Sequence, residues 1–449
     1  MKAMRSFLFL FLALWAVSCT KDFVTIQPEQ EADATNELKS AAIGLKIAVM
    51  SDIHYLDQSL MRNGAASGLA FQTYLNSDPK LIEFSDPILR EAMSQIIDAK
   101  PDILLIPGDL TKDGEKVGHR TMVRLLKQIS DHGIKVFVIP GNHDIKNPEA
   151  VAYNGNNSSP VPSISANDFA DLYADFGYKN AISKDDHSLS YVCRPFPNTW
   201  ILGIDACKYD ENVPGGLATV SGEIKQGTLK WIGERLADAK RHNIKVLAMM
   251  HHGLVEHYTG QQSLNPGYVI DNWESVSDIL ADAGLKVVFT GHYHANDISM
   301  RVRGNNTLVD VETGSLLTPP SPYRIITMNA ARMYIDTKHI TSIHAMLPAG
   351  LSFVNYSKMF LAGHLDGIFT YMLSSPPYNV PSEYIGGIAP LFRNAFMAHY
   401  AGDEHITPGE QLQDDQVALL SPELGFALQG IWTDLPPSDN HLILDIWKK

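Results

Sequence analysis

The chain has 449 residues, of which 45% are hydrophobic and 19% are charged, and its formal net charge is −14. This length exceeds that of one average domain, and the composition is ordinary for a globular protein with a sizeable core. The negative charge excludes nucleic-acid binding by general electrostatic attraction, which needs an excess of Lys and Arg. No nucleic-acid partner is therefore expected.

The first 18 residues have the pattern of an export signal. Lys2 and Arg5 are followed by the apolar run Phe7–Trp15 and by small residues before Cys19. This pattern resembles a bacterial lipoprotein signal, with Cys19 as the lipidated first residue of the mature protein. An uncleaved anchor, or a secretory signal in which Cys19 has no role, is the alternative. We expect an exported protein that only its N-terminal lipid holds to a bacterial membrane, on the periplasmic or cell-surface face.

Residues 19–43 are mostly polar and have no period, so we expect a flexible tether. From Leu45 onward, apolar β-branched runs alternate with segments of helical spacing, which predicts an α/β layer. The predicted strands of this part are Leu45–Ser51, Asp102–Pro107, Ile134–Pro140, Ser188–Arg194, Thr199–Ala206, Ile244–Met250 and Leu285–Thr290. The predicted helices are Asp86–Ala99, Glu115–His132, Ala166–Phe176, Glu223–His242 and Trp273–Ala283.

After Gly291 the pattern changes to consecutive strands and then to helices. The predicted antiparallel strands are Ile298–Arg303, Thr307–Glu312 and Tyr323–Met328, and the predicted helices are Phe353–Met372, Pro381–His399 and Glu410–Leu420. Segments 55–80 and 145–165 are rich in turn residues, which predicts loops. We expect both loops to line a substrate site, although ordinary surface loops are the alternative.

Two cysteines, Cys193 and Cys207, lie on the two predicted strands of a hairpin. In that hairpin Cys193 would face a residue near Trp200 and not Cys207. We therefore expect buried free thiols, with a disulfide as the alternative.

Five short motifs directly follow predicted strands. They are Asp52-Ile53-His54, Gly108-Asp109, Gly141-Asn142-His143-Asp144, His251-His252 and Gly291-His292-Tyr293-His294. Residues two apart in an extended segment share a face, so Asp52 and His54 can bind one ion together. A single motif of this kind is usually structural, but five of them at strand ends predict a metal centre.

Together the motifs resemble those of the calcineurin-like metallophosphoesterases, D-x-H, G-D, G-N-H-[D/E], H and G-H-x-H, from about Leu45 to about residue 340. The resemblance implies two divalent or mixed-valence metal ions (Fe, Mn or Zn), with Asp109 bridging them. The ligands that it implies are Asp52, His54, Asp109 and His294 for one ion, and Asp109, Asn142, His251 and His292 for the other. His251 is preferred to His252 because the strand delivers it first.

The implied activity is that of a two-metal phosphoesterase, in which a metal-bridging hydroxide attacks a phosphodiester or small phosphomonoester in line. His143 would stabilise or protonate the leaving oxygen, and Asp144 would orient the His143 ring. In the alternative, His143 only closes its loop and Asp144 only caps a helix. The sequences Gly108–Glu115 and Pro140–Asp144 look more like the bacterial phosphodiesterase branch than the protein phosphatases. A non-catalytic ligand-binding lipoprotein on a degenerate scaffold is the alternative from another class.

The fold that the resemblance implies is an α/β fold, a four-layer α-β-β-α sandwich of two mixed sheets with outer helices. The chain accordingly divides into four parts: a lipoprotein signal peptide (1–18), a tether (19–43), a metallophosphoesterase domain (44–345) and a C-terminal, mainly helical region of unknown role (346–449).

Overall fold

The structure, a computed structural model, describes residues 44–376, 378–406, 420, 422–445 and 447. The predicted signal peptide, the predicted tether and nearly all of the predicted helix Glu410–Leu420 lie outside the described residues. The strands are β1 (Leu45–Val49), β2 (Met61–Arg62), β3 (Ile103–Pro107), β4 (Lys135–Ile139), β5 (Val151–Asn154), β6 (Asn157–Pro160), β7 (Ser183–Lys184), β8 (Tyr191–Phe196), β9 (Thr199–Ile204), β10 (Lys245–Met250), β11 (Val287–Thr290), β12 (Ile298–Arg303), β13 (Asn306–Glu312), β14 (Pro322–Met328), β15 (Met333–His339) and β16 (His441–Leu444). The helices are α1 (Leu69–Ser77), α2 (Ser85–Ala99), α3 (Lys116–Asp131), α4 (Ala166–Leu172), α5 (Gln226–Arg241), α6 (Gln261–Leu264), α7 (Trp273–Ala283), α8 (Phe353–Ser374), α9 (Ser382–Ala401) and α10 (Pro422–Ile431).

Two large mixed sheets form the centre of the molecule. The first has the strand order β16-β15-β14-β1-β3-β4, in which β1, β3 and β4 are parallel and the other strands are antiparallel to their neighbours. The second has the order β12-β13-β11-β10-β9-β8-β7, with β9, β10, β11 and β13 parallel. The prediction of two mixed sheets is confirmed.

The two sheets pack face to face, with helices on their outer faces. One buried cluster joins side chains of both sheets, including Leu105 and Val138 of the first and Leu247 and Phe289 of the second. Central parallel strands covered on both faces need continuous apolar sequence, and all five residues of β3 are buried. Helices α2 and α3 cover the first sheet, and α5 and α7 cover the second. These layers form the four-layer sandwich that was predicted.

The C-terminal helices form a third buried cluster beside the sandwich. Helices α8, α9 and α10 pack on one another through the apolar side chains Leu361, Leu365, Phe392, Leu424 and Leu428. The chain then returns to the first sheet, because β16 pairs antiparallel with β15. The C-terminal region is therefore mainly helical, but it also contributes a strand to the sandwich.

Both segments predicted as loops contain regular structure. Segment 55–80 contains α1, and segment 145–165 contains the hairpin β5–β6, which forms a small sheet with β2. Strands β15 and β16 were also missed. All four residues of β6 are exposed, so its sequence lacks the alternation of apolar and polar residues that predicts a strand.

The two described cysteines are buried free thiols. Cys193 pairs with Ile201 in the register of β8 and β9, next to the residue expected. Within the described part of the chain, every helix is too short or too polar to cross a bilayer.

Candidate metal centre

The five motifs meet at one edge of the sandwich. Strands β1, β3 and β4 run in parallel, so the residues after their carboxyl ends lie together. Strands β10 and β11 of the facing sheet are also parallel, and they deliver His251 and the His292–His294 turn to the same place. The predicted ligands are thus neighbours although the motifs are spread over some 240 residues of sequence.

The backbone turns sharply at these residues. Five of the seven predicted metal ligands have positive φ angles: Asp52 (51°), His54 (40°), Asp109 (50°), His292 (78°) and His294 (67°). A left-handed conformation costs a residue with a side chain about 1–2 kcal/mol, and such strain concentrates at functional sites. Packing of the two sheets holds the strand ends in turns that aim their side chains inward.

Two motif glycines allow these turns to approach one another. A Cβ atom on Gly141 would lie 2.1 Å from Asp109 Oδ1, and one on Gly291 would lie 2.3 Å from Asp52 Oδ2. Both distances are far shorter than a van der Waals contact. Glycine is therefore required at each position for the two carboxylates to occupy the site.

Asp109 lies between two groups of imidazoles. Its Oδ2 atom is 3.5 Å from His54 Nε2 and 3.4 Å from His251 Nε2. On one side, His294 Nε2 is 3.3 Å from His54 Nε2 and 3.5 Å from Asp52 Oδ1. On the other side, the potential ligand atoms of Asp109, His251 and His292 lie within 4.8 Å of one another. One carboxylate is thus placed to serve two adjacent ions.

The donor atoms of this site suit a cation. His251 Nδ1 donates to the carbonyl of Pro107 at 2.8 Å, so the lone pair of Nε2 faces Asn142 Oδ1 at 3.0 Å. Burial lowers the pKa of His251, but the charge of Asp109 outweighs it and raises that pKa to about 9. The surroundings of His251 therefore attract positive charge, which a proton or a metal ion can supply.

Two other imidazoles are held neutral. Burial lowers the pKa of His54 well below its usual value, and Lys80 adds to this effect. Burial also lowers the pKa of His292, with a further contribution from His252. Neutral imidazole is the form that binds metal.

His252 does not enter the cluster. Its Nε2 atom donates to the carbonyl of Val220 at 2.9 Å, and its ring packs on that of His292 with centroids 4.4 Å apart. His251 is the member of the His-His pair that faces Asp109.

His143 lies at the edge of the cluster, and Asp113 orients its ring. The Nδ1 atom of His143 is 2.9 Å from Asp113 Oδ1, and the ring is 24% exposed. Burial lowers the pKa of His143, but Asp109 and Asp113 raise it more, so the net shift is upward. Asp113 is in turn paired with the buried ammonium of Lys112. A His143 side chain that is oriented in this way and has a raised pKa can donate a proton.

The role expected for Asp144 needs correction, because its carboxylate binds backbone and not the His143 ring. It accepts from the N–H groups of Gly141 at 2.8 Å, Leu110 at 3.0 Å and Thr111 at 3.1 Å. Burial and the charge of Asp109 raise the pKa of Asp144 to about 7. Asp144 fastens the turn after β4 to the turn after β3. Asp113 was missed although it stands four residues after Asp109, since no rule of spacing linked it to His143.

A cavity of 460 Å³ lies beside the cluster. Polar residues of the candidate metal centre line one side of it, and aromatic side chains, which we call the aromatic wall, line the other. Asp109, Asn142, His143, His292 and His294 are on the polar side. The aromatic side chains that line it are Tyr268, Tyr293, Phe369, Phe396 and Tyr400. The wall therefore comes partly from α8 and α9, which gives the C-terminal region a place in the site.

Lys80 is the cationic side chain of this lining and was not among the predicted site residues. It forms an ion pair with Asp78, with the nitrogen and oxygen 3.2 Å apart. Burial lowers its pKa, but Asp78 and the two site carboxylates Asp113 and Asp109 raise it more. Residues 77–80 of the predicted loop 55–80 line the cavity, whereas the described residues of segment 145–165 are not in its lining.

Comparisons with known proteins give partial matches. The chain is 37% identical over 68 residues to a "Probable cyclic nucleotide phosphodiesterase" of Vesicomyosocius okutanii, covering 15% of this chain and 28% of that protein. A protein of the same description from Ruthia magnifica is 41% identical over 59 residues, covering 13% and 24%. The chain thus spans about a quarter of the length of these curated relatives.

Among solved structures, a dimetal phosphatase from Danio rerio is 15% identical, with a TM-score of 0.46, and the match covers 70% of this chain and 99% of that one. A purple acid phosphatase from yellow lupin seeds is 10% identical, with a TM-score of 0.39, and covers 67% and 52%.

The family model for the calcineurin-like phosphoesterases matches residues 45–296, which is more than half of the chain and includes all five motifs. This range contains β1, β3 and β4 of the first sheet, β7 to β11 of the second sheet, and the buried clusters of His and Asp at the site. This protein therefore belongs to the calcineurin-like phosphoesterase family.

Proposed function

We propose that this protein is a two-metal phosphoesterase that hydrolyses a phosphodiester, or a small phosphomonoester. The observation that carries the proposal is the position of Asp109, whose Oδ2 atom is 3.5 Å from one imidazole and 3.4 Å from another. A carboxylate shared by two ligand groups is the arrangement that two-metal sites require.

The residues that would hold the ions are those of the two groups. Asp52, His54, Asp109 and His294 would hold one ion, and Asp109, Asn142, His251 and His292 the other. When bound, the ions would supply positive charge to the phosphoryl oxygens and lower the pKa of water. The mixture of imidazole and oxygen ligands suits iron, manganese or zinc.

The side chains around the cluster supply the remaining chemistry. His143, held by Asp113 and with a raised pKa, would donate a proton to the leaving oxygen of the ester. The ammonium of Lys80 would attract the anionic phosphoryl group into the cavity. The aromatic wall would exclude water and contact the substituent of the ester.

Two features favour a phosphodiester. The G-D-x-V-D-R-G and R-G-N-H-E sequences of protein phosphatases are missing, and Gly108–Glu115 and Pro140–Asp144 stand in their places. The two partial relatives carry the description of a probable cyclic nucleotide phosphodiesterase. The 460 Å³ cavity has room for a small ester with one apolar or aromatic group.

The test is hydrolysis of bis-p-nitrophenyl phosphate and p-nitrophenyl phosphate by protein loaded with Mn²⁺, Zn²⁺ or Fe²⁺. We expect faster turnover of the diester, and loss of both activities in Asp109→Asn. Asp131→Asn, on the exposed end of α3, is the matched control. If neither ester is cleaved with any metal, the proposal is wrong. Fewer than one bound ion per chain would favour a non-catalytic binding protein instead.

We also propose that Cys19 is lipidated and that the enzyme acts outside the cytoplasm. The basic start, the apolar run and the small residues before Cys19 support this. Cys19→Ala should abolish incorporation of labelled palmitate and release the protein from the membrane fraction. Equal labelling of both proteins would contradict the proposal.

A further inference from the structure

A second cluster of buried ionisable residues lies where the C-terminal helices meet the sandwich. Asp297 immediately precedes β12, His399 is in the last turn of α9, and Glu404 follows that helix. Their exposures are 1%, 0% and 4%. None belongs to the five motifs or lines the cavity of the candidate metal centre.

Several polar atoms of this cluster have no hydrogen-bond partner among the described residues. Asp297 Oδ1 is 2.6 Å from His257 Nδ1, but Asp297 Oδ2 has no hydrogen-bond partner. One oxygen of Glu404 contacts His399 Nδ1, and the other oxygen has none. Each unpartnered oxygen exposes less than 1 Å² to solvent. Burying a carboxylate oxygen in this way is costly unless a cation compensates it.

We propose that Asp297, His399 and Glu404 bind a third divalent metal ion, which fastens the C-terminal helices to the metallophosphoesterase domain. One ligand atom from each of the three residues lies within 4.8 Å of the other two. His399 Nδ1 is 3.7 Å from the unpartnered Oδ2 atom of Asp297. Two carboxylates neutralise a divalent charge, and an imidazole with two carboxylates suits Zn²⁺ or Mn²⁺ better than Ca²⁺.

The surroundings of the cluster hold a further buried carboxyl group that is short of hydrogen-bond donors. Glu312 lies on the far side of His257, with Oε2 3.6 Å from His257 Nε2, and both its oxygens lack hydrogen-bond partners among the described residues. Burial raises the pKa of Glu312 well above its usual value, although His257 opposes this. The guanidinium of Arg324 donates to backbone carbonyls of Glu312 and Asp439 and not to these carboxylates. A bound cation nearby would favour the ionised form of such a carboxyl group.

Two of the three aspartates in a neighbouring group, Asp403 and Asp439, do not need an ion. Asp439 Oδ1 accepts from the N–H of Ile298 at 2.7 Å, and Oδ2 accepts from that of Asp403 at 2.6 Å. Asp403 accepts in return from Ser438 and Asn440. Backbone and side-chain donors already satisfy the carboxylates of Asp403 and Asp439, and of the three aspartates only Asp434 has an oxygen without a hydrogen-bond partner among the described residues. The proposal is therefore confined to Asp297, His399 and Glu404.

The position of this site connects it to the substrate cavity. The ring of His399 contacts those of Tyr258 and Tyr293, with centroids 5.3 and 5.7 Å apart. Tyr293 lines the cavity, as do Phe396 and Tyr400 on the same helix as His399. An ion held by His399 would therefore fix the aromatic wall in place.

The test is metal analysis of protein that is stripped with a chelator, reloaded with Zn²⁺ or Mn²⁺ and desalted. We expect Glu404→Gln and Asp297→Asn each to retain one ion fewer per chain than the wild type. We also expect a smaller rise of Tm on reloading, because a bound ion stabilises the folded state. Glu383→Gln, an exposed position on α9, is the matched control and should behave as the wild type does.

The same comparison in an Asp109→Asn background separates this site from the candidate metal centre. The difference of one ion caused by Glu404→Gln should persist there, even if the two-metal proposal fails. Crystals of the wild type soaked in Zn²⁺ should also give an anomalous peak between the three side chains. This second measurement uses only wild-type protein, so it does not depend on whether a variant folds. Equal metal content with no such peak would overturn the proposal and identify His399 as an imidazolium paired with two carboxylates.

Discussion

Replacing Asp113 with Asn removes a negative charge that orients the His143 ring and favours its protonated form, while it keeps the shape of the side chain. The His143 Nδ1 to Asp113 Oδ1 distance is 2.9 Å, and Asp113 is 5% exposed. A hydrogen bond to a charged group contributes about 1.5–3 kcal/mol, which corresponds to a roughly 10- to 100-fold change in the protonation equilibrium of His143. Lys112 keeps a partner in Glu115, whose Oε1 is 3.7 Å from its Nζ, so the variant should fold.

The effect should depend on the leaving group. An aryl ester with a good leaving group needs little proton donation, whereas an alkyl ester should lose the about 10²- to 10⁴-fold that general acid catalysis contributes. Because Asp113 raises the pKa of His143, the protonated form is present below that raised pKa and is lost as pH rises through it. In Asp113→Asn the fall in kcat/KM with rising pH should therefore begin at lower pH.

The assay is the pH dependence of kcat/KM for a nitrophenyl diester and for an alkyl diester, with Asp131→Asn as the control for loss of a carboxylate. Equal losses for both esters, with an unchanged pH profile, would refute proton donation by His143. Asp113 would then only support the turn.

Three further predictions concern the same site. Gly141→Ala should lower metal affinity and reduce kcat/KM by at least about 100-fold, because its Cβ would lie 2.1 Å from Asp109 Oδ1. The control is Gly233→Ala, whose added Cβ would have no atom within 4 Å and which should behave as the wild type does. Equal behaviour of the two variants would contradict the close approach of Gly141 to Asp109. Lys80→Met should reduce kcat/KM roughly 10- to 100-fold, because it removes a charged hydrogen-bond donor from the cavity. The control is Lys127→Met, at an exposed position, which should not change kcat/KM. Unchanged kinetics of Lys80→Met would show that Lys80 does not contact the phosphoryl group. Chelation should abolish turnover, and Mn²⁺, Zn²⁺ or Fe²⁺ but not Ca²⁺ should restore it, because imidazole ligands favour transition metals; full recovery with Ca²⁺ would contradict the ligand set.

Local sequence was sufficient for the central parallel strands of both sheets and for the motifs that follow them. The short apolar run Ile103–Pro107, which Gly108 ends, favours a strand buried on both faces, and Trp273–Ala283 has a helical period over its full length. Since the ligands stand directly after such strands, their meeting at one sheet edge could be predicted. Helix α1 and strand β6 could not, because neither shows a clear period of its own.

What only the tertiary structure decided is which side chains meet across different turns. Asp144 directly follows His143 in its motif, whereas Asp113 stands after Asp109 and outside the motifs. The left-handed turn at Asp109 and the hydrogen bond from Leu110 N–H to Asp144 place Asp113, and not Asp144, beside the His143 ring. The same applies to Asp297, which is distant in sequence from His399 and Glu404 and meets them through the packing of α9 on the sandwich. The periodicity of a sequence indicates which face of a helix or strand is buried. The contacts between side chains of different elements depend instead on how the two sheets and the three C-terminal helices pack, and no local sequence pattern encodes that packing.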